Sequence, residues 1–283
     1  MDNRHLDGNR EKREIAFRSY DGTDLSGTLQ LIAPDDVAIL LVHGLTVDRH
    51  EDGFYDRVVD AFVYAGFTNF GFDLRGHGKS AGTLESLTLN GVMSDIESAL
   101  NLLRTASAAK RFYLVGSSFS GGLAAMVARD NSSSLAGVVL FNPLLDYRRR
   151  LIESQPFWDP NRSQVTEEAK RALDAGQFVR FNSSRPMQRA LFNEAIRVRP
   201  DEGVPRLPMR VLVFHGTADS RTPFDVAQSL TLKAAHSEFV AVEGADHGLC
   251  WPGDDDFSHP TTRQWHSQAA ERVVTWINTH ASS

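Results

Sequence analysis

Cysteine is almost absent. Cys250 is the only one in 283 residues, so no disulfide framework can form within the chain, and a reducing compartment is the expected setting. Long apolar runs are missing too: none approaches the ~18 residues that a membrane span requires. Nor does charge of one sign dominate. The formal net charge is −6, with neither a basic block nor an acidic tail, which leaves nucleic-acid binding without an electrostatic footprint. No Gly-x-Gly-x-x-Gly or Walker-type loop is present, so no nucleotide cofactor is implied. His247, His259 and His266 lack the spacing of a metal site. The first fourteen residues are polar, of mixed charge and without the apolar centre of a secretory signal. They read as a flexible arm on a cytoplasmic protein.

What is there is ordinary globular material, 41% hydrophobic and 23% charged, in a chain long enough for one large domain with an insertion. Two alternating stretches, 15–20 and 25–32, flank the turn at 21–24 and read as an antiparallel pair at a sheet edge. After them, short aliphatic runs alternate with stretches of helical spacing. The runs are 37–42, 67–72, 112–115 and 135–141, then 209–214 and 238–242; the helical stretches are 52–65, 89–105, 223–235 and 262–279. That alternation predicts a mostly parallel sheet with helices on both faces. It breaks between 146 and 207, a segment richer in charge, with helical pieces, no convincing buried strand and scattered aromatics. The expected organisation is a core of 1–145 and 208–283 carrying a mainly helical cap at 146–207. The cap aromatics form its own small core for the most part, with Phe157, Trp158 and Phe181 the candidates for touching a substrate.

The stretch Arg111 to Ala128 is a buried strand, a turn of small residues and an apolar helix. A serine on such a turn is thrust out of the sheet, and the helix behind it aims unpaired N–H groups at the same place. Ser118, two residues after Gly116, is the candidate nucleophile. The fifth position of the Gly-x-Ser-x-Gly pattern is Ser120 here, and the register Ser118-Phe-Ser120-Gly-Gly122 would make Ser120 the nucleophile instead. In a parallel sheet the chemistry collects where strands end. Strand ends here carry His43-Gly44-Leu45, Ser118, Asp219 and His247, and the chain order Ser, Asp, His is the α/β-hydrolase one. Asp246 is a second acidic candidate beside His247.

The motifs Leu41-Val-His-Gly44, Phe72-Asp-Leu-Arg-Gly-His-Gly-Lys-Ser80, Gly116-Ser-Ser-Phe-Ser120, Phe214-His-Gly-Thr-Ala-Asp219 and Gly244-Ala-Asp-His247 span both sides of the cap. With them the sequence resembles the α/β-hydrolase superfamily, and within it the bacterial feruloyl and cinnamoyl esterase-like enzymes. The resemblance implies Ser118 as nucleophile, His247 as general base and Asp219 as its orienting partner, with the backbone N–H groups of Leu45 and Phe119 as the oxyanion hole. It implies a small-molecule ester or thioester substrate, no cofactor, no metal, and neither nucleic acid nor membrane as partner. Acyl transfer with the same three residues, or a hydrolase fold kept for ligand binding, stays open; oligomeric state is not indicated.

Among the remaining polar residues, His43 and His77 read as braces of their loops, and Asp73 with Arg75 as an ion pair or turn brace. His215 carries no expected role. Cys250 reads as a small buried thiol, and the Arg148-Arg149-Arg150 run as either a solvated turn or a greeting for an anionic carrier.

Overall fold

The run Val37–Val42 forms a strand buried along its whole length, and the two faces of that strand feed two separate cores. Ala38, Leu40 and Val42 join one hydrophobic cluster, whereas Val37, Ile39 and Leu41 join the other. The period of two in a strand thus becomes two layers of helix, one on each side. The computed structural model describes residues 10–153, 164–175, 179–181, 185–187 and 189–280, and the side chains of these except 179–181, 185–187 and 192.

Eight strands make the main sheet. In chain order they are β1 (Arg10–Arg18), β2 (Asp24–Ile32), β3 (Val37–Val42), β4 (Thr68–Asp73), β5 (Arg111–Ser117), β6 (Gly137–Phe141), β9 (Arg210–Gly216) and β10 (Ser237–Val242). They lie side by side as β1-β2-β4-β3-β5-β6-β9-β10. The two edge strands β1 and β2 run antiparallel, and the six from β4 to β10 are mutually parallel. Helices α1 (Phe54–Tyr64) and α8 (Pro260–Thr279) pack on one face through Phe54, Val58, Phe62, Val273 and Trp276. Helices α2 (Leu89–Ala106), α3 (Ser118–Asp130) and α7 (Phe224–Thr231) cover the other. This is the α/β architecture expected from the alternation of runs.

The N-terminal expectation needs correcting. Residues 10–14 are not a free arm: they extend β1, with Arg10 opposite Ile32 and Glu14 opposite Thr28. Their charges sit on an exposed edge, where they discourage a further strand from adding, and that is why they carry no hydrophobic signature.

Between β6 and β9 none of the described residues joins the main sheet. Here lie α4 (Glu167–Asp174), a ribbon of β7 (Val179–Phe181) antiparallel to β8 (Arg185–Met187), α5 (Arg189–Arg197) and α6 (Pro200–Gly203). The ribbon adds to the helical pieces expected of this segment; at three residues a strand, it is too short to show a period. Leu191, Ala195, Val198 and Val204 bury into the cluster of α2 and α3. Glu194 on α5 accepts from the Leu89 and Asn90 amides at the start of α2 (2.6 and 3.3 Å), where a carboxylate satisfies orphan donors and complements the helix dipole. Phe157 and Trp158 lie outside the described residues, as does the side chain of Phe181.

Candidate active site

Strand β5 ends at Ser117 in extended backbone, and α3 begins at Ser118, whose φ of 47° lies in the left-handed region. A non-glycine residue held there is strained, and such strain persists only where the surroundings over-determine it. The packing is tight enough to do so. A Cβ on Gly116 would sit 2.7 Å from the Cβ of Ala124 on the helix that follows, so only glycine allows strand and helix to approach this closely. Ser118 is left partly exposed at the turn, and its Oγ lies 2.8 Å from His247 Nε2.

Ser120 goes elsewhere. It is fully buried, and its hydroxyl faces the carbonyl oxygens of His43 (2.6 Å), Val42 (3.0 Å) and Ser117 (3.0 Å). The serine that replaces the glycine of the common pattern therefore pins the elbow to the end of β3 and makes no contact with His247.

On the far side of the imidazole, Nδ1 lies 2.9 and 3.1 Å from the two carboxylate oxygens of Asp219, which follows β9. That carboxylate is saturated with donors: Asn142 Nδ2 (2.6 Å), Thr222 Oγ1 (2.7 Å) and the amides of Arg221 and Thr222 (2.8 Å each). Burial works to raise its pKa, but hydrogen bonds from His215 and His247, the His247 charge and the Thr222 amide hold it well below the usual carboxylate range. It is a fixed negative charge. His215, which has no assigned role by sequence, places Nε2 3.3 Å from Asp219 Oδ2. Asn142 escapes sequence reading because it meets Asp219 only across strands, from the end of β6; His215 lies on β9 itself, four residues before Asp219, and its contact depends on how the chain turns after the strand. Asp246 is otherwise engaged: its Oδ1 accepts from the amides of Ser220 and His247 and from the Ser220 hydroxyl, so it shapes the turn.

Leu45, on the loop after β3, and Phe119, at the start of α3, line one cavity of about 410 Å³ together with Ser118 and His247. The amides in the first turn of a helix have no acceptor within it, which leaves that of Phe119 available to a bound oxyanion. The loop carrying Leu45 is braced by two histidines. His43 Nε2 accepts from the Leu74 amide (3.0 Å), so Nδ1 carries the proton and donates to Gly44 O (2.7 Å). His77 in turn accepts from the Thr46 amide (3.1 Å). Asp73 and Arg75 do not pair with each other. Asp73 accepts from the Arg49 amide and lies 3.8 Å from its guanidinium, whereas Arg75 grips Asp95 and Asp21.

Cys250 also lines the cavity, but burial above all pushes its thiol up to about 11. At neutral pH it is a weak nucleophile, and it donates to His247 O. Of the arginine run, Arg150 reaches the cavity, as does Arg221 from the loop after Asp219; Arg148 instead pairs with Glu153 at 2.8 Å. Among the described residues, no group of three or more His, Cys, Asp or Glu is arranged to hold a metal ion. None of the described helices is long and apolar enough to cross a membrane.

A family model described as serine aminopeptidase, S33, matches residues 33–251. The chain belongs to that family. The matched span takes in every strand end that lines the cavity, together with the segment between β6 and β9. Solved structures agree on the α/β-hydrolase fold. Est1E from Butyrivibrio proteoclasticus, solved with ferulic acid bound, superposes with a TM-score of 0.72 at 16% identity, over 98% of each chain. An esterase from Pyrococcus furiosus gives 0.67 at 15% identity, over 95% of this chain and 92% of that one. Alpha/beta hydrolase domain-containing protein 10 from mouse gives 0.72 at 14% identity, over 94% and 99%. At these identities the likeness is one of fold, so the S33 chain's substrate has to be argued from its own site.

Proposed function

We propose that this S33-family chain is a serine hydrolase that cleaves a carboxylic ester through an acyl-serine intermediate. The observation that carries the reading is the unbroken line of contacts from Ser118 Oγ through His247 to Asp219, 2.8 Å and then 2.9 Å, beside a cavity of small-molecule size. A serine hydroxyl needs an adjacent base to act as nucleophile. His247 takes the Ser118 proton as Oγ attacks the ester carbonyl. The amides of Leu45 and Phe119 hold the developing oxyanion. As the carbon–oxygen bond to the alcohol breaks, His247 returns the proton to the leaving oxygen. Water then attacks the acyl group with His247 again as base, releasing the acid and restoring Ser118. Asp219 keeps the imidazole in the tautomer with Nδ1–H and stabilises its charged form. Residues 146–207 act as the cap over a core of 1–145 and 208–283, and an acyl or aryl-acyl substrate would lie between them.

The test is hydrolysis of p-nitrophenyl esters across acyl lengths, with an aminoacyl p-nitroanilide alongside for the amide. The Ser118→Ala variant is expected to lose at least about 10⁴-fold in kcat and all labelling by a fluorophosphonate. Ser120→Ala should keep both, at reduced stability. Activity retained in Ser118→Ala, or a wild type that turns over only the anilide, would overturn the ester reading.

A second reading, transfer or hydrolysis of an acyl thioester on an anionic carrier, is favoured by Arg150 and Arg221 at the cavity. Acyl-coenzyme A and the same acyl group on uncharged N-acetylcysteamine discriminate. A strong preference for the phosphorylated carrier over both N-acetylcysteamine and p-nitrophenyl esters would favour it.

A further inference from the structure

Immediately before α1, the loop from β3 delivers Glu51 to the interior. Its backbone and that of Asp52 both hold positive φ (47° and 52°), a strained path that points a glutamate inward at only 8% exposure. There it lines the same cavity as Ser118 and His247. Ser117 Oγ donates to Glu51 Oε1, and the Gly44 amide lies against the same carboxyl. A Cβ on Gly44 would find Glu51 Oε1 and Ser118 Cβ at 3.2 Å each. The other oxygen, Oε2, is buried and makes no hydrogen bond. No step of the ester mechanism uses this residue.

Gly44 directly precedes Leu45, and Ser117 directly precedes Ser118 and Phe119. One carboxyl therefore contacts both segments whose amides are assigned to the oxyanion. Resting on that assignment, we propose that Glu51 is a positioning residue for the oxyanion hole, its carboxyl clamping the loop after β3 to the elbow after β5. Displacement of such donors by about 1 Å costs on the order of 100-fold in rate.

The clamp works in its neutral form. Burial pushes Glu51 up to about 8, partly opposed by Ser117 and the Gly44 amide. The groups facing it offer no cation: Asp52 lies on its own segment and Tyr55 on α1, and the elbow presents hydroxyls. His247, Asp246, Arg150, Arg221 and Asp254 line the same cavity as Glu51, and none of them is among the groups that shift its carboxyl most. Ionisation would place a negative charge beside the donor segments just as the oxyanion forms, and turnover should decline above about pH 8.

The experiment measures kcat and KM for a p-nitrophenyl ester from pH 6 to 10 in wild type, Glu51→Gln, Glu51→Ala and Ser117→Ala, each checked for native circular dichroism. Glu51→Gln preserves a neutral acceptor, so it should keep kcat within about threefold at pH 7 and lose the alkaline decline. Glu51→Ala should lose about 10- to 100-fold in kcat with KM nearly unchanged, and Ser117→Ala several-fold. Wild-type kcat in a folded Glu51→Ala variant, or an alkaline limb that persists in Glu51→Gln, would overturn the proposal.

Two readouts need no ester. Fluorophosphonate labelling of Ser118 should be slower in Glu51→Ala than in wild type; equal rates would also defeat the clamp. The thermal midpoint of Glu51→Gln relative to wild type should climb from about pH 4.5 to about 8, since only wild type holds a proton there that its unfolded chain has released. A chain inert to esters yet labelled in this order would sink ester hydrolysis and leave the clamp standing.

Discussion

A carboxylate surrounded by four donors cannot be replaced by an amide without conflict. Asp219 accepts from Asn142, from the hydroxyl and amide of Thr222 and from the Arg221 amide, while also meeting His247 Nδ1. In an Asp219→Asn variant the new NH₂ group must face either one of these donors or the imidazole. The second choice forces the tautomer in which Nε2 bears the proton and cannot take one from Ser118. The expected outcome is a fall in kcat of about 10⁴-fold, read in ester turnover, with fluorophosphonate labelling slowed in parallel. Labelling at the wild-type rate would show that Asp219 does not set the tautomer. Residues 118, 219 and 247 could be picked out in the sequence because each follows a recognisable strand and carries a reactive group. Glu51, Asn142 and His215 could not, because nothing within their local sequence distinguishes them from loop or strand-end residues whose partners are unknown. Of the two readings of Asp73 and Arg75, the mutual ion pair is not formed, since each side chain found a charged partner on another element, whereas the turn brace is, Asp73 accepting from the Lys79 amide.

At the scale of the element, the site depends on how closely loops at the carboxyl ends of β5, β9 and β10 approach one another. Gly216 closes β9, and a Cβ added there would lie 2.2 Å from the Ala245 carbonyl oxygen on the loop that carries His247. The next contacts, Ala245 C and Asp246 O, are also backbone, so the loop itself must move. A Gly216→Ala variant is expected to lose about 1–3 kcal/mol in urea unfolding and about 100-fold in kcat, because His247 shifts relative to Ser118. A variant with wild-type kcat would show that the histidine loop accommodates the methyl without moving the ring. Ser120 shows the converse case, a side chain drawing elements together: its hydroxyl ties α3 to the carbonyl end of β3.

For the whole molecule, buried histidines make stability depend on pH. Burial lowers His43 to about 3 and His266 to about 4, whereas an unfolded chain protonates both near 6.5. As the pH falls below 6.5 the unfolded state gains protons that the folded state refuses, so stability present above that pH is lost progressively towards 4. Glu51 acts in the opposite sense: its contribution decreases as pH rises from 4.5 to about 8. The two histidines outnumber it, so the thermal midpoint should be lower at pH 5 than at pH 7, and the loss should be steeper in Glu51→Gln. A flat or rising midpoint on acidification would contradict the buried neutral state of these imidazoles.

Local chemistry written along the chain determined the layers and the order of the reactive residues. Aliphatic runs of four to seven residues specify buried strands, periodic helices cover them, and small residues around Ser118 specify a tight turn. Only the tertiary structure decided which residues meet. Ser118 and His247 stand 129 positions apart, and Glu51 and Ser117 stand 66 apart. Their contacts exist because the strands assemble as β4-β3-β5-β6-β9-β10, bringing the ends of β3, β5, β6 and β9 to one side. Strand order is set by packing two hydrophobic faces at once, a property of the whole sheet that no single stretch of sequence contains.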